Sequence, residues 1–241
     1  MSNSRNNNAT AASIDHYQLF ASGAFKNVYA GQYTEGVRAG QNCVAKEFKT
    51  GSPYEEHYFE QEMNIIHRTQ RVIDDWNNAG IIDKRVLLNN PQIWTYRSCG
   101  TKALVEPMIE NFEKFNSNTG WATVTGGVWS EAMQALSHFS YHNSGGHILL
   151  CDLQGGSYQN GYILSDPVIM SQSPETYGPT DLGPDGIRTF FDQHRCGRFC
   201  KSSWKKPGVR SGSLLPTRQG TTMAARLPTR ATRNPLTRLR E

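Results

Sequence analysis

The sequence predicts an α+β chain, one mid-sized domain or two small lobes with tails, and three observations carry that expectation. Strand-like runs flank a glycine turn within residues 20–31 and lead to Asn42-Cys43-Val44-Ala45-Lys46-Glu47-Phe48-Lys49, a strand carrying a lysine after Val-Ala. A long helical pattern follows over 53–78, with Tyr58, Met63, Ile65, Ile66, Val72, Ile73 and Trp76 recurring at three- and four-residue spacing. The second half closes on His194-Arg195-Cys196 with Cys200 four residues on, a group of soft metal ligands on a short segment. The expected organisation is a disordered leader at 1–13, a folded unit at 14–205 and a disordered basic tail at 206–241. If the folded unit has two lobes, the N-terminal one covers about 14–105 and the C-terminal one about 106–205.

The 241 residues are 37% hydrophobic and 10% aromatic, enough for a packed core. No run of about 18 apolar residues occurs, so no membrane span is expected. The first eight residues, Met-Ser-Asn-Ser-Arg-Asn-Asn-Asn, lack the apolar stretch of a secretory signal, and a cytoplasmic, reducing setting is the expectation. Five cysteines, an odd number, argue against a disulfide framework, and Cys43 and Cys151 in apolar runs read as buried. The net charge of +4 conceals an asymmetry: residues 201–241 hold ten Lys/Arg and one acid, the rest fifteen basic against twenty acidic residues. The basic balance therefore belongs to the tail, and no nucleic-acid partner is expected for the folded part.

Taken in order, the first motif is the turn at Gly23-Ala24-Phe25-Lys26, where glycine lets backbone N–H groups approach a phosphate. A hairpin of this kind followed by a strand with an inward lysine, here Lys46, is how nucleotide-binding kinase lobes hold phosphates. Glu60 and Glu62 lie on the 53–78 helix, and either can pair with Lys46. Strands are expected at 86–88, 93–96 and 103–109, the last broken at Pro107, where a linker would offer backbone groups to an adenine. Residues 111–121 read as an Asn-rich loop, and 128–141 as a helix with Trp129, Met133, Leu136 and His138 available to the core.

His147-Ile148-Leu149-Leu150-Cys151-Asp152-Leu153-Gln154-Gly155-Gly156 reads as an apolar strand that delivers Asp152 and Gln154 on one face. Asp166 follows in Leu164-Ser165-Asp166-Pro167. Phosphoryl transfer needs a carboxylate to position a hydroxyl and oxygen ligands for Mg²⁺, and two acids with an amide meet that need. A glycine-rich loop is expected at Gly178-Pro179-Thr180-Asp181-Leu182-Gly183-Pro184-Asp185-Gly186, opening a helix at 187–193. His194, Cys196 and Cys200 supply three zinc ligands, and a tetrahedral site needs a fourth. His138 is the foremost candidate on its helix, with His142 and His147 as competitors.

This ordered set resembles the atypical α-kinases, which include elongation-factor-2 kinase, the myosin heavy chain kinases and the channel-kinases. The resemblance covers roughly residues 15–205. It rests on Val44-Ala45-Lys46, Val105-Glu106-Pro107, Lys114-Phe115-Asn116-Ser117-Asn118-Thr119-Gly120-Trp121, Ser137-His138, Asp152-Leu153-Gln154-Gly155, Asp166-Pro167, the spaced Gly178, Asp181, Gly183 and Gly186, and the His194-Cys196-Cys200 cluster. It implies a bilobal protein-kinase-like fold with a structural zinc site in the C-terminal lobe. It also implies ATP between the lobes, a protein acceptor with a Ser/Thr hydroxyl, and Mg²⁺. Lys46 would bind the phosphates beside the Gly23–Lys26 turn, and Glu106 and Met108 would lie at the adenine. Asp152 would be the catalytic acid/base, Gln154 and Asp166 the magnesium ligands, and Gly178, Asp181, Gly183 and Gly186 the loop near the peptide substrate. The matching Ser-His selects His138 as the fourth zinc ligand.

The competing class is a zinc-stabilised binding protein on the same fold without turnover. The complete set Lys46, Asp152, Gln154 and Asp166 separates the two, because a chain relieved of catalysis loses part of it. The tail repeats Leu-Pro-Thr-Arg at 215–218 and 227–230, and with its Thr-Arg pairs at 217, 229, 232 and 237 it is a candidate autophosphorylation or acidic-partner segment.

Overall fold

The computed structural model describes residues 3–49, 55–125, 127–208 and 214–221. Two five-stranded sheets and one strand pair carry the chain. The first sheet has the order β2 (Ala9–Ser22), β3 (Lys26–Gly36), β4 (Asn42–Phe48), β7 (Lys102–Pro107), β6 (Gln92–Thr95), antiparallel throughout. The second has the order β1 (Ser4–Asn6), β5 (Arg85–Asn90), β11 (Gly161–Ser165), β10 (Gln154–Tyr158), β8 (Phe112–Lys114). Its first three strands run parallel and the rest antiparallel. β9 (Ile148–Cys151) and β12 (Val168–Ser171) form a separate antiparallel pair.

Among the described residues three helices complete the fold: α1 (Glu55–Asn78), α2 (Gly127–Asn143) and α3 (Gly183–Gln193). α1 is long enough, at ~36 Å, to serve both halves. Its second half sends Val72, Ile73 and Trp76 into the main core with Val86 and Leu88 of β5, Met133 and Leu136 of α2, and Leu150 and Leu164. The helix stops where Gly80 takes a left-handed conformation (φ +58). Asn77 then fastens it to β5, donating from Nδ2 to the Val86 carbonyl (2.7 Å) and accepting the Val86 N–H (3.0 Å).

The expected partition between lobes is corrected at one place. β5 lies inside the 14–105 half of the sequence, yet it pairs with β11 in the second sheet. Sequence order put it with its neighbours, whereas its apolar Val86 and Leu88 find their burial against α1 and β11. The leader is corrected as well. Residues 4–6 form β1, and β2 already starts at Ala9. The Asn/Ser composition that argues for disorder here supplies side-chain bonds instead: Asn7 Nδ2 donates to the Val105 carbonyl (3.2 Å) and Asn3 Nδ2 to Asp74 Oδ1 (2.8 Å).

The expected strand at 147–156 is two strands. β9 ends at Cys151, Asp152 turns the chain at φ +57, and β10 begins at Gln154 in a different sheet. A short polar side chain tolerates that left-handed conformation. The helix expected at 187–193 starts earlier, at Gly183, so that Gly183 and Gly186 belong to its first turn. Gly183 has φ +64, and a Cβ there would stand 2.6 Å from Pro174 Cγ.

Candidate active site

The cleft is built where the turn between β2 and β3, the first half of α1 and the ends of β9, β10 and β11 meet. It is lined by Gly23, Ala24, Phe25 and Lys26 on one side, and by Asp152, Gln154, Asp166 and the 177–180 loop on the other. Tyr58, Gln61, Glu62 and Ile65 of α1 close its back. Two carboxylates dominate it, and each has its own lysine partners.

Asp166 sits at the end of β11 in a left-handed conformation (φ +50). Its Oδ1 takes Lys26 Nζ at 2.9 Å and its Oδ2 takes Lys46 Nζ at 3.2 Å. Burial opposes its ionisation, but the two ammonium groups overcome this and hold its carboxyl well below the usual carboxylate range. Lys26 also pairs with Glu62 (2.7 Å) and Lys46 with Glu106 (2.8 Å). Burial disfavours charge on both lysines, yet Asp166 with Glu62 raises Lys26, and Asp166 with Glu106 raises Lys46. Ser165 completes the group, accepting from Lys46 Nζ (2.8 Å) and donating to Glu106 Oε1 (2.7 Å).

Asp152 is a different carboxyl. Lys114 of β8 reaches its Oδ1 at 2.8 Å, and Gln154 Nε2 donates to its Oδ2 at 3.0 Å. Burial pushes its pKa up to about 6, against the pull of Lys114. One acid is thus fixed as an anion among cations, and the other is poised near neutrality. Two carboxyls driven apart by their surroundings are the arrangement that acid–base chemistry uses. Both stand in sparsely populated backbone conformations, as strained active-site residues do.

The remaining expected residues fall into three groups. The glycine turn and Lys26 do line the cleft, and Gly178 lies on its rim. Asp181 is buried and holds the rim together: it accepts from Ser171 N–H (2.8 Å), Ser171 Oγ (2.7 Å) and Gly183 N–H (3.0 Å). Gly183 and Gly186 lie behind it in α3. Glu106 and Met108 are not among the described residues that line this cleft. The Glu106 side chain is committed to Lys46 and Ser165, the Met108 N–H donates to the Asn42 carbonyl (3.0 Å), and the Met108 carbonyl accepts from Arg5 (3.1 Å).

The partners of three residues escaped sequence reasoning. Glu62 was a candidate partner for Lys46, and the structure gives it to Lys26 instead. Lys26 entered only as the end of the glycine turn, and its burial against two acids had no signal in the sequence. Lys114 stands in a recognised motif, but its reach to Asp152 depends on β8 pairing with β10 across Lys114 and Gln154.

The second cluster lies away from the cleft. The ligand atoms of His138, His194, Cys196 and Cys200 all lie within 4.8 Å of one another. Cys196 Sγ is 3.7 Å from both His138 Nδ1 and His194 Nε2, and Cys200 Sγ is 3.6 Å from His194 Nε2. His138 Nε2 faces the Lys205 carbonyl at 3.1 Å, the orientation a ligating imidazole takes from a backbone acceptor. Burial holds both imidazoles down at about 4, so they are neutral at pH 7.

Known proteins similar to this chain fall in one family. The family model for the alpha-kinase family matches residues 21–200. Among curated proteins, alpha-protein kinase vwkA of Dictyostelium discoideum is 38% identical over 90 residues, 37% of this chain and 14% of that protein. The human transient receptor potential cation channel subfamily M member 6 is 29% identical over 217 residues, 83% of this chain and 10% of that protein. The chain thus corresponds to a small part of these relatives. Among solved structures, an alpha kinase from Entamoeba histolytica matches with a TM-score of 0.69 at 21% identity, covering 88% of this chain and 84% of that one. The inactive alpha-kinase domain of myosin-II heavy chain kinase A, complexed with ATP, matches with a TM-score of 0.65 at 19% identity, over 78% and 87% of the two chains. The fold is that of the alpha-kinase structures. The chain belongs to the alpha-kinase family, whose members are generally ATP-dependent protein kinases. No helix among the described residues is long and apolar enough to cross a membrane.

Proposed function

We propose that this chain is an active protein kinase that transfers the γ-phosphate of ATP to a Ser/Thr hydroxyl of a protein, with Mg²⁺. The observation that carries this reading is the pair of unlike carboxyls, Asp152 and Asp166, facing one cleft from neighbouring strand ends with Lys26, Lys46 and Lys114 among them. Asp152 positions the acceptor hydroxyl and takes its proton as the oxygen bonds to the γ-phosphorus and the γ-phosphorus–oxygen bond to ADP breaks, ADP leaving with that oxygen. A carboxyl at about 6 is ionised at physiological pH and still basic enough for that task. Lys26 and Lys46 supply positive charge for the phosphates, and the Gly23–Lys26 turn supplies backbone N–H groups.

Asp166 and Gln154 offer the oxygen donors that a hard divalent cation prefers, and Asp166 is kept ionised for it. When bound, Mg²⁺ neutralises charge developing on the transferred group. An adenine at Glu106 and Met108 follows from the family resemblance; the Met108 N–H must leave the Asn42 carbonyl to reach it.

Zinc in the His138, His194, Cys196 and Cys200 cluster is part of the same proposal. Zn–S of about 2.3 Å and Zn–N of about 2.0–2.1 Å in a tetrahedron set N···S separations of about 3.6 Å. The observed 3.6–3.7 Å distances fit. Four protein ligands leave no open position, so the ion is structural, tying the segment after α3 to α2.

Asp166→Asn tests the metal assignment. Phosphate transfer should fall to background across a magnesium titration, with the folded state followed by circular dichroism. Transfer at the normal rate and normal magnesium dependence would remove Asp166 from the site. The substitution also leaves Lys26 and Lys46 short of a counter-charge, at a cost of about 3–5 kcal/mol.

A further inference from the structure

Past the zinc-candidate segment, the chain returns to the cleft. Residues 214–221 form a run without helix or strand, laid against three sites on one face of the C-terminal half. The Leu215 N–H donates to Thr189 Oγ1 of α3 at 2.9 Å. Arg218 is held from both directions. Its carbonyl accepts from Ser117 Oγ (2.6 Å) and Thr119 Oγ1 (2.8 Å), and its N–H donates to Thr119 Oγ1 (2.9 Å). The Thr221 carbonyl accepts from Lys114 Nζ, the ammonium paired with Asp152. Thr221 itself lines the cleft beside Asp152 and Gln154.

Two features give this run a function. Every one of these bonds engages the tail through its main chain and the folded body through a side chain. Arg218 is exposed, and its hydrogen bonds to the described residues run through its backbone. Recognition of main-chain groups at intervals accepts many sequences in an extended conformation, as peptide-binding grooves do. The contacts also fall at every third residue and end at the carboxyl assigned to the acceptor hydroxyl.

We propose that Thr189, Thr119, Ser117 and Lys114 form the track that binds the backbone of an extended protein acceptor, and that residues 215–221 fill it as an intramolecular competitor. This inference rests on the kinase reading above for the identity of the acceptor, but the docking of the tail does not. A track held by the tail nine-tenths of the time lowers the apparent affinity for a free peptide about tenfold.

The test uses the full chain carrying both Leu215→Pro and Arg218→Pro. Proline removes the two tail N–H donors, at positions outside the buried core and outside the catalytic machinery. A fluorescein-labelled peptide with the sequence of residues 214–221 should bind this variant about tenfold more tightly than the unaltered chain. In transfer assays with a basic acceptor protein, KM for the acceptor should fall by a similar factor at unchanged kcat. The free peptide should compete with the acceptor and not with ATP. Equal peptide affinity for the two chains, or competition with ATP, overturns the proposal. Tighter peptide binding with no phosphate transfer by either chain supports the docked tail and overturns the kinase reading.

Discussion

At the scale of single residues, the site is a division of labour between two aspartates with opposite electrostatics. Asp166 is ionised because Lys26 and Lys46 outweigh its burial, and Asp152 titrates at about 6 because burial outweighs Lys114. Their signs under pH follow. The folded carboxyl of Asp166 lies below its ordinary value of 3.8, so its contribution to stability is present above that value and is lost as pH falls. The carboxyl of Asp152 is raised from 3.8 to about 6, so the penalty of ionising it grows as pH rises through that window. Activity that needs Asp152 as a base should therefore rise with pH through about 6. Lys114→Met removes the cation that holds this value down, and the acid limb of the kcat/KM profile should move to higher pH. An unmoved limb would detach Lys114 from Asp152. The sequence made Asp152, Gln154 and Asp166 legible as a set, because acids at strand ends carry a chemical signal. It did not show Lys26 or Lys114 at work, because a lysine's partner is fixed by strands distant in sequence.

At the scale of elements, the helices were legible and the strand breaks were not. The apolar spacing over 53–78 and 128–141 corresponds to α1 and α2, which are Glu55–Asn78 and Gly127–Asn143; residues 53 and 54 fall outside those described. The run 147–156 looked like one strand because its apolar content is continuous, and nothing in periodicity marks Asp152 as left-handed. That turn is what carries the chain from the β9–β12 pair into the second sheet and leaves the Asp152 carboxyl in the cleft. The glycines after Asp181 read as a loop, but Gly183 and Gly186 sit where α3 presses on Pro174 and Met170. The histidine–cysteine cluster was legible from its spacing, and α2 brings His138 to it. Cys196→Ser should lower the zinc content measured by elemental analysis from about one ion per chain and lower the melting temperature, as loss of a structural zinc does. A wild-type chain free of zinc after purification without chelators would sink that assignment.

At the scale of the whole molecule, sheet membership crosses the sequence boundary expected between the lobes. β1 and β5 come from the first half of the chain and build the second sheet, and α1 carries Glu62 to the cleft while burying Trp76 in the main core. Long-range pairing of this kind depends on which apolar faces find each other, which a reading of local pattern does not see. The tail was read as disordered from its composition, and its residues 214–221 instead reach Asp152 through Lys114. Polar main-chain docking leaves no apolar periodicity, so the sequence is silent on it. The most direct measurement of the central claim is incorporation of labelled phosphate from ATP into a basic acceptor protein, full-length wild type against Asp152→Asn. The wild type should transfer phosphate to serine or threonine, and the variant should be slower by roughly a hundred- to ten-thousand-fold with its fold retained. Equal transfer by the two proteins, or none by a folded wild type that binds ATP, would contradict the account.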